Sequence, residues 1–283
     1  MREETLSAEE RLVASARAAA KGDRAAAHEV LQTVQDDVYR LALRMLGHPQ
    51  DAEDATQEIL VIVLTHLGSF RAESAFSTWV WSIAARHLSQ VRRGRREADS
   101  FEALEERLTE LREALPASPA PESAVFALEV RLRCTEAMIL SLDRPSRIAY
   151  LLGDIFNLPG EQAAAVLEIE PAVFRKRLSR ARERLYAFMR RQCGLLDPTN
   201  ACRCERVAAG ATARGLLHRE DLLFANHSTR ATKAVVERAA GEVTHLMQVA
   251  DVVRDHPDYA APESLASRLR ELLDSGHLEL LRH

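Results

Sequence analysis

Three cysteines lie within a short segment of the sequence, Cys193-x8-Cys202-x-Cys204. Thiolates suit Zn²⁺ or Cu(I), and a four-coordinate zinc site would need one further ligand. The candidates for that ligand are His218, His227, His245 and His256. A redox pair joining Cys193 to Cys202 or Cys204 is the alternative, and incidental thiols are the third interpretation. The remaining cysteine, Cys134, falls in an apolar helical pattern, which predicts an unreactive core thiol.

Basic residues are concentrated in two segments, although the net charge of the chain is only −4. Residues 86–96 carry five Arg and no acid, and residues 171–191 carry seven Arg and one Lys against a single Glu. Between them, residues 97–122 carry eight acids against two Arg. Two basic segments of this density favour contact with an anionic polymer at two places, that is, with nucleic acid, over solvated helix faces.

The sequence contains no nucleophile–base pair, no Gly-rich phosphate loop and no HExxH motif, which disfavours an enzyme that carries a DNA-binding domain. Its longest aliphatic run, 59–64, is far shorter than the roughly 18 residues of a membrane span. The N-terminus lacks the apolar core of a secretory signal. We therefore expect a cytoplasmic protein without a membrane segment.

Apolar residues recur at three- and four-residue spacing, which predicts an all-α fold. The 11 Gly and 10 Pro are too few for an all-β sandwich or barrel. Helical patterns cover 8–20, 23–46, 51–67, 76–93, most of 124–192, 229–253 and a segment that opens at Pro262. Four parts are predicted: a helical domain at 1–96, an acidic and Pro-rich linker at 97–123, a second helical domain at 124–192, and a cysteine-containing helical extension at 193–283.

Residues 161–191 predict a helix-turn-helix, in which a short helix (161–167) and a turn (168–170) precede a long basic helix (171–191). The two helices would pack through Val166, Leu167, Ile169, Phe174 and Leu178. Basic side chains would remain outward, where they can contact bases or phosphates, namely Arg175, Lys176, Arg177, Arg180 and Arg182.

Two strings carry a family resemblance. GEQAAAVLEIEPAVFRKRLSRARERL resembles region 4 of the extracytoplasmic-function (group 4) sigma factors of bacterial RNA polymerase, and HPQDAEDATQEILVIVLTHLGSFRAESAFSTWVWSIAARHLSQVRRGRR resembles their region 2. The resemblance covers about 24–96 and 124–191. It implies a factor that binds core RNA polymerase, holds the −35 element with the helix-turn-helix and opens the −10 element with region 2. The alternative, a stand-alone helix-turn-helix regulator with a C-terminal dimerisation or sensor domain, leaves residues 51–93 without a role.

The resemblance also implies site residues. The helix at 51–67 would meet the polymerase clamp helices through Asp51, Asp54, Gln57 and Glu58. The following loop and helix would hold the −10 strand through Phe70, Arg71, Ser74, Phe76, Trp81, Arg86, His87, Arg92 and Arg93. Extruding a base costs about a few kcal/mol, which a stacking pocket recovers. Trp79 and Trp81 cannot share a helix face, and we expect Trp79 to be the buried one.

The chain departs from the family pattern at two places. His87 and Gln90 stand where Asn and Asp are common, and the recognition helix opens with 171–174 as Pro-Ala-Val-Phe rather than Glu-Gly-Thr-Val. A different promoter preference is therefore expected. The extension is expected to regulate, either by hiding the polymerase-binding face or by stabilising the active arrangement, with the cysteines biasing the equilibrium. A separate anti-sigma factor is the alternative regulatory partner.

Overall fold

The computed structural model describes residues 7–91, 100–114, 123–224 and 259–274. Within these ranges the regular structure is helical, apart from isolated bridge residues, of which Cys193 and Cys202 pair with each other. The predicted all-α fold is confirmed. No helix within the described ranges is both long enough and apolar enough to cross a membrane.

The first half of the chain forms four helices: α1 (Ala8–Ala19), α2 (Arg24–Leu46), α3 (Pro49–His66) and α4 (Phe76–Gln90). Helix α2 begins where the Asp23 side chain accepts a hydrogen bond from the Ala26 N–H at 3.1 Å. It ends at Gly47, whose φ of 71° is a left-handed conformation that favours glycine. Helix α3 begins at Pro49 and not at the predicted cap Asp51. Proline suits the first turn, because the N–H group that it lacks would have no hydrogen-bond partner within the helix there.

The second half forms α5 (Phe101–Glu113), α6 (Ser123–Leu140), α7 (Arg144–Tyr150), α8 (Gly160–Val166) and α9 (Pro171–Gln192). Helices α8 and α9 form the predicted helix-turn-helix, and Glu168 turns the chain between them at φ 53°. Val166, Phe174 and Leu178 are buried between these helices and the core. The long helix therefore turns its apolar face inward and its basic face toward solvent.

The acidic segment expected to act as a linker contains a packed helix. Phe101, Leu104 and Leu108 of α5 are buried, and the Phe101 ring lies 5.3 Å from the Phe188 ring of α9. The Arg184 guanidinium lies over the same Phe101 ring at 5.2 Å. The apolar stripe of α5 therefore joins the core, while its carboxylates remain on the outer side.

The two halves are packed against each other. Arg147 is almost fully buried, and its guanidinium donates to the carbonyl oxygens of Met45, Leu140 and Leu142 at 2.7, 2.7 and 2.9 Å. Gln162 of α8 donates to the Thr78 hydroxyl of α4 at 2.6 Å. One buried guanidinium therefore connects α2 to the loop that precedes α7.

The extension packs on both halves. Helix α10 (Cys204–Ala213) lies against α5 and α6, and α11 (Glu263–Asp274) lies against α2 and α3. Gly210 permits the close approach of α10, because a Cβ atom there would lie 1.9 Å from the Leu111 carbonyl oxygen. The predicted helix opening at Pro262 is present, whereas the one predicted at 229–253 lies outside the described residues.

Candidate functional site

The predicted polymerase-binding residues lie on the solvent side of α3. Asp51, Asp54 and Glu58 are exposed and Gln57 is half-buried, while Ile59, Leu60, Val63 and Leu64 face the core. This arrangement follows from the helical period, because residues three and four apart share a face. The four side chains together form one polar surface, which we call the α3 face.

Helix α11 covers one edge of the α3 face. The Arg268 guanidinium donates to the Glu53 carboxylate at 2.9 Å and lies 3.8 Å from the Asp54 carboxylate. Leu265, Leu269 and Leu273 are buried beneath the helix. The leucine stripe thus anchors α11, and Arg268 pairs with Glu53 and lies near Asp54, one of the predicted polymerase contacts.

Two buried carboxylates hold the rest of the extension. Asp36 of α2 accepts the Ala261 N–H at 2.9 Å, and Glu129 of α6 accepts the N–H groups of Leu223 and Phe224 at 2.9 and 3.0 Å. Charge-assisted bonds of this kind are about twice as strong as neutral ones. The extension is therefore attached to the core on either side of residues 225–258.

The predicted −10 aromatics are less accessible than expected. Phe76 is fully buried and packs with Phe70 and Trp79, with ring centroids 5.1 to 5.5 Å apart. Trp81 is only 8% exposed, and its ring lies 4.7 Å from Phe156 of the second half. The expectation that Trp79 is buried and Trp81 faces outward is therefore wrong in this arrangement. Trp79 is half-buried against Phe70 and Phe76, whereas Phe156 covers Trp81.

The polar −10 residues divide into three groups. Arg71 and Ser74 are exposed in the loop before α4. Arg86 pairs with Glu168 in the helix-turn-helix turn, and the His87 ring nitrogen lies 3.1 Å from the Glu58 carboxylate of the α3 face. Arg92 and Arg93 lie outside the described residues.

The predicted −35 residues are mostly available on α9. Arg175, Lys176 and Arg180 are exposed and Arg177 is half-buried. Arg182 differs, because its guanidinium donates to both carboxylate oxygens of the buried Asp154 at 2.8 and 2.5 Å. These hydrogen bonds raise the pKa of Arg182. The Arg182 side chain is exposed as predicted, but its guanidinium is held at the surface by a bidentate pair with Asp154 and is not free to contact DNA as the other basic residues are.

Cys134 lies on α6, the helix against which α10 and its first residue Cys204 pack. Burial, with smaller contributions from Cys204, Cys193 and Cys202, raises the pKa of the Cys134 thiol well above its ordinary value. Burial and the nearby Cys193 raise the pKa of Cys202, and the same causes with Cys202 added raise that of Cys204 to about 12. All four thiols are unbridged. Sequence spacing could not reveal this proximity, because Cys134 belongs to a different helix.

Two protein-family models match the chain: Sigma-70 region 2 over residues 30–97 and Sigma-70, region 4 over residues 132–185. The ECF RNA polymerase sigma factor SigW of Bacillus subtilis (strain 168) is 30% identical over 168 residues, which cover 58% of this chain and 89% of SigW. The ECF RNA polymerase sigma-E factor of Escherichia coli (strain K12) is 32% identical over 166 residues, covering 58% and 86%. The RNA polymerase sigma-H factor of Pseudomonas aeruginosa is 32% identical over 168 residues, with the same coverage.

Solved structures are also similar to the chain. CnrH in complex with the cytosolic domain of CnrY has a TM-score of 0.46 and 21% sequence identity, covering 64% of this chain and 97% of that one. The sigma factor RpoE from Bartonella quintana, in complex with the anti-sigma factor NepR, has a TM-score of 0.41 and 20% identity, covering 57% and 95%. Both family models end before residue 193, so the extension lies beyond them.

Proposed function

We propose that this chain, which belongs to the extracytoplasmic-function sigma factors of bacterial RNA polymerase, binds core polymerase and directs it to promoters. The supporting observation is that one chain carries both an exposed carboxylate surface, the α3 face, and an exposed basic recognition helix, α9. A stand-alone regulator would need only the second of these. The proposed role requires binding and base extrusion and no catalytic group from this chain. Its place of action is the cytoplasm, where the polymerase works.

The packed arrangement is a closed state of this factor. Trp81 is covered by Phe156, and Arg86 is paired with Glu168, so the second half occupies the side of α4 that would hold the −10 strand. We infer that the second half must separate from α4 before the −10 strand binds. Polymerase and DNA would shift the equilibrium between the closed and open states by as much as they bind the open state more tightly than the closed one.

Reconstituted transcription tests the proposed function. Core polymerase is mixed with the purified full chain, and bound fragments of bacterial DNA are selected, sequenced and used as templates. Transcription from the selected fragments should depend on the added chain and should fall when Asp54 is replaced by Lys. A chain that binds DNA by itself as a dimer, and never co-elutes with core polymerase, would instead be a stand-alone regulator.

Substitutions on α9 separate DNA contacts from structural contacts. We expect Arg175→Ala and Arg180→Ala each to weaken binding of the polymerase complex to the −35 element by about 1–3 kcal/mol, because each removes an exposed cation. The salt dependence of binding should fall by about one ion for each lost phosphate contact. Binding is measured on the selected promoter at several salt concentrations.

Arg182→Ala is the matched comparison. It should leave the affinity of the folded protein for the −35 element within twofold and should lower the melting temperature, because the buried Asp154 loses its bidentate partner. If Arg182→Ala lowers DNA affinity as much as Arg175→Ala does, without any loss of stability, then Arg182 contacts DNA.

A further inference from the structure

The four cysteines of the chain come from two parts of the sequence that pack together, because α10 lies against α6 and Cys134 lines the same cavity as Val207 of α10. Cys134 lies on α6, Cys193 directly follows α9, and Cys204 is the first residue of α10. Cys202 is paired with Cys193 by a β-bridge, in which the Gly194 N–H donates to the Cys202 carbonyl oxygen at 3.2 Å. All four side chains are partly buried and packed against the core. We call these four residues the thiol cluster.

We propose that the thiol cluster binds one zinc ion, with Cys134 supplying the fourth sulfur. Four sulfur ligands complete the tetrahedral coordination of a structural zinc site. Four sulfur ligands in a tetrahedral arrangement indicate zinc or an iron–sulfur cluster. A redox pair, the alternative interpretation, would use only two of the four cysteines. The bound ion would join α6, the end of α9 and the start of α10, and would so fix the extension to the second helical half.

The charges around the thiol cluster suit a bound zinc ion. Four thiolates and one Zn²⁺ carry two net negative charges, and such charge is stable inside a protein only when it is paired. Arg112 and Arg203 act electrostatically on Cys202, and Arg131 acts on Cys204. Three guanidinium groups, from α5, α6 and the loop, therefore act electrostatically on these sulfurs. Their positive charge would offset part of the negative charge of a zinc–thiolate centre.

The loop that joins Cys193 to Cys202 is held by its own hydrogen bonds. Arg203 donates to the Pro198 carbonyl oxygen at 2.7 Å, and the Asn200 amide donates to the Cys193 carbonyl oxygen at 3.2 Å. Asp197 accepts from both the N–H and the hydroxyl of Thr199 at 2.9 and 2.7 Å. These hydrogen bonds therefore hold the loop that carries Cys193 and Cys202 in one conformation.

The structure favours Cys134 over His218 as the fourth donor. The His218 Nε2 atom lies 2.9 Å from the Gly215 carbonyl oxygen, and the side chain is exposed. His227, His245 and His256 lie outside the described residues. Across residues 7–91, 100–114, 123–224 and 259–274, no three His, Cys, Asp or Glu side chains already have the arrangement of a formed metal site. Binding would therefore require the thiol side chains to move from the positions that they have here.

Metal analysis of the full chain tests this proposal independently of transcription. The protein is purified under anaerobic, reducing conditions, and its zinc, copper and iron contents are measured. We expect one equivalent of zinc, and X-ray absorption of the unaltered protein should show four sulfur atoms at about 2.3 Å from the metal. Replacing zinc by Co²⁺ should give the absorption bands of a tetrahedral thiolate site.

Two variants identify the fourth donor. Cys134→Ser should weaken zinc binding at least tenfold and reduce the sulfur-to-cobalt charge-transfer absorption, whereas His218→Ala should leave both unchanged. Circular dichroism confirms that each variant is folded, and the sulfur count of the unaltered protein decides the question if Cys134→Ser does not fold. A metal-free protein that fails to bind added Zn²⁺ or Co²⁺, a sulfur count of three, or zinc loss in His218→Ala alone would overturn the proposal. One equivalent of copper, or iron with inorganic sulfide, would also overturn the choice of zinc.

Discussion

Replacing Leu269 with Asp is expected to raise the affinity of the protein for core RNA polymerase by about 5- to 150-fold, the range of a coupling free energy of 1–3 kcal/mol. Leu269 is 3% exposed and anchors α11 on α2 and α3. A buried carboxylate is costly there, so α11 should detach from the α3 face. Detachment removes Arg268 from beside Asp54 and uncovers that edge of the α3 face, which can then meet the polymerase. This expectation commits the extension to hiding the polymerase-binding face.

The affinity is measured by titrating labelled protein with core polymerase. Glu271→Ala is the matched control, since Glu271 is exposed on the same helix and should leave the affinity unchanged. Arg268→Ala should give a smaller increase than Leu269→Asp, because it removes the ion pairs and keeps the leucine stripe. If Leu269→Asp lowers the melting temperature while polymerase affinity stays the same or falls, the extension stabilises the active arrangement, and the hiding role is incorrect.

Replacing Arg147 with Met is expected to reduce the free energy of unfolding by about 3–5 kcal/mol, because three buried carbonyl oxygens lose their donor. The guanidinium donates to three carbonyl oxygens that come from both halves of the chain. Methionine fills similar volume and leaves these oxygens without that donor. Each buried polar group left unsatisfied costs about 1–3 kcal/mol.

Urea unfolding, followed by circular dichroism, measures the effect of Arg147→Met. Arg147→Lys should fall between the variant and the natural protein, because one ammonium group reaches fewer of the three carbonyl oxygens than the guanidinium fork does. Arg180→Ala serves as the exposed control and should change stability by less than about 0.5 kcal/mol. A loss below about 1 kcal/mol in Arg147→Met would mean that the other contacts between the two halves, polar and apolar, hold them together without this guanidinium.

Features that depend on neighbouring residues in the sequence could be predicted well. Helical periodicity predicted α2, α4 and α9 closely, and leucine spacing predicted α11, because the apolar face of a helix is visible in its own residues. The carboxylates of the α3 face share a side for the same reason. The helix-turn-helix followed from a short helix, a turn and a long basic helix in direct succession.

Tertiary structure decided which partner covers each face, because the sequence shows that a face is apolar or charged without showing what meets it. The sequence predicts Arg182 as a DNA contact, but Asp154, in the helical segment that follows α7, accepts two hydrogen bonds from its guanidinium. Phe156 reversed the expected roles of the two tryptophans by covering Trp81. The acidic segment around Phe101 resembles a linker in sequence because it is acidic and ends in a Pro-rich stretch, yet α9 and α10 give the apolar side of α5 a surface to pack on. Cys134 lies near the other cysteines because α10 packs on α6. Contacts between helices that are distant in sequence depend on the packing of the whole chain.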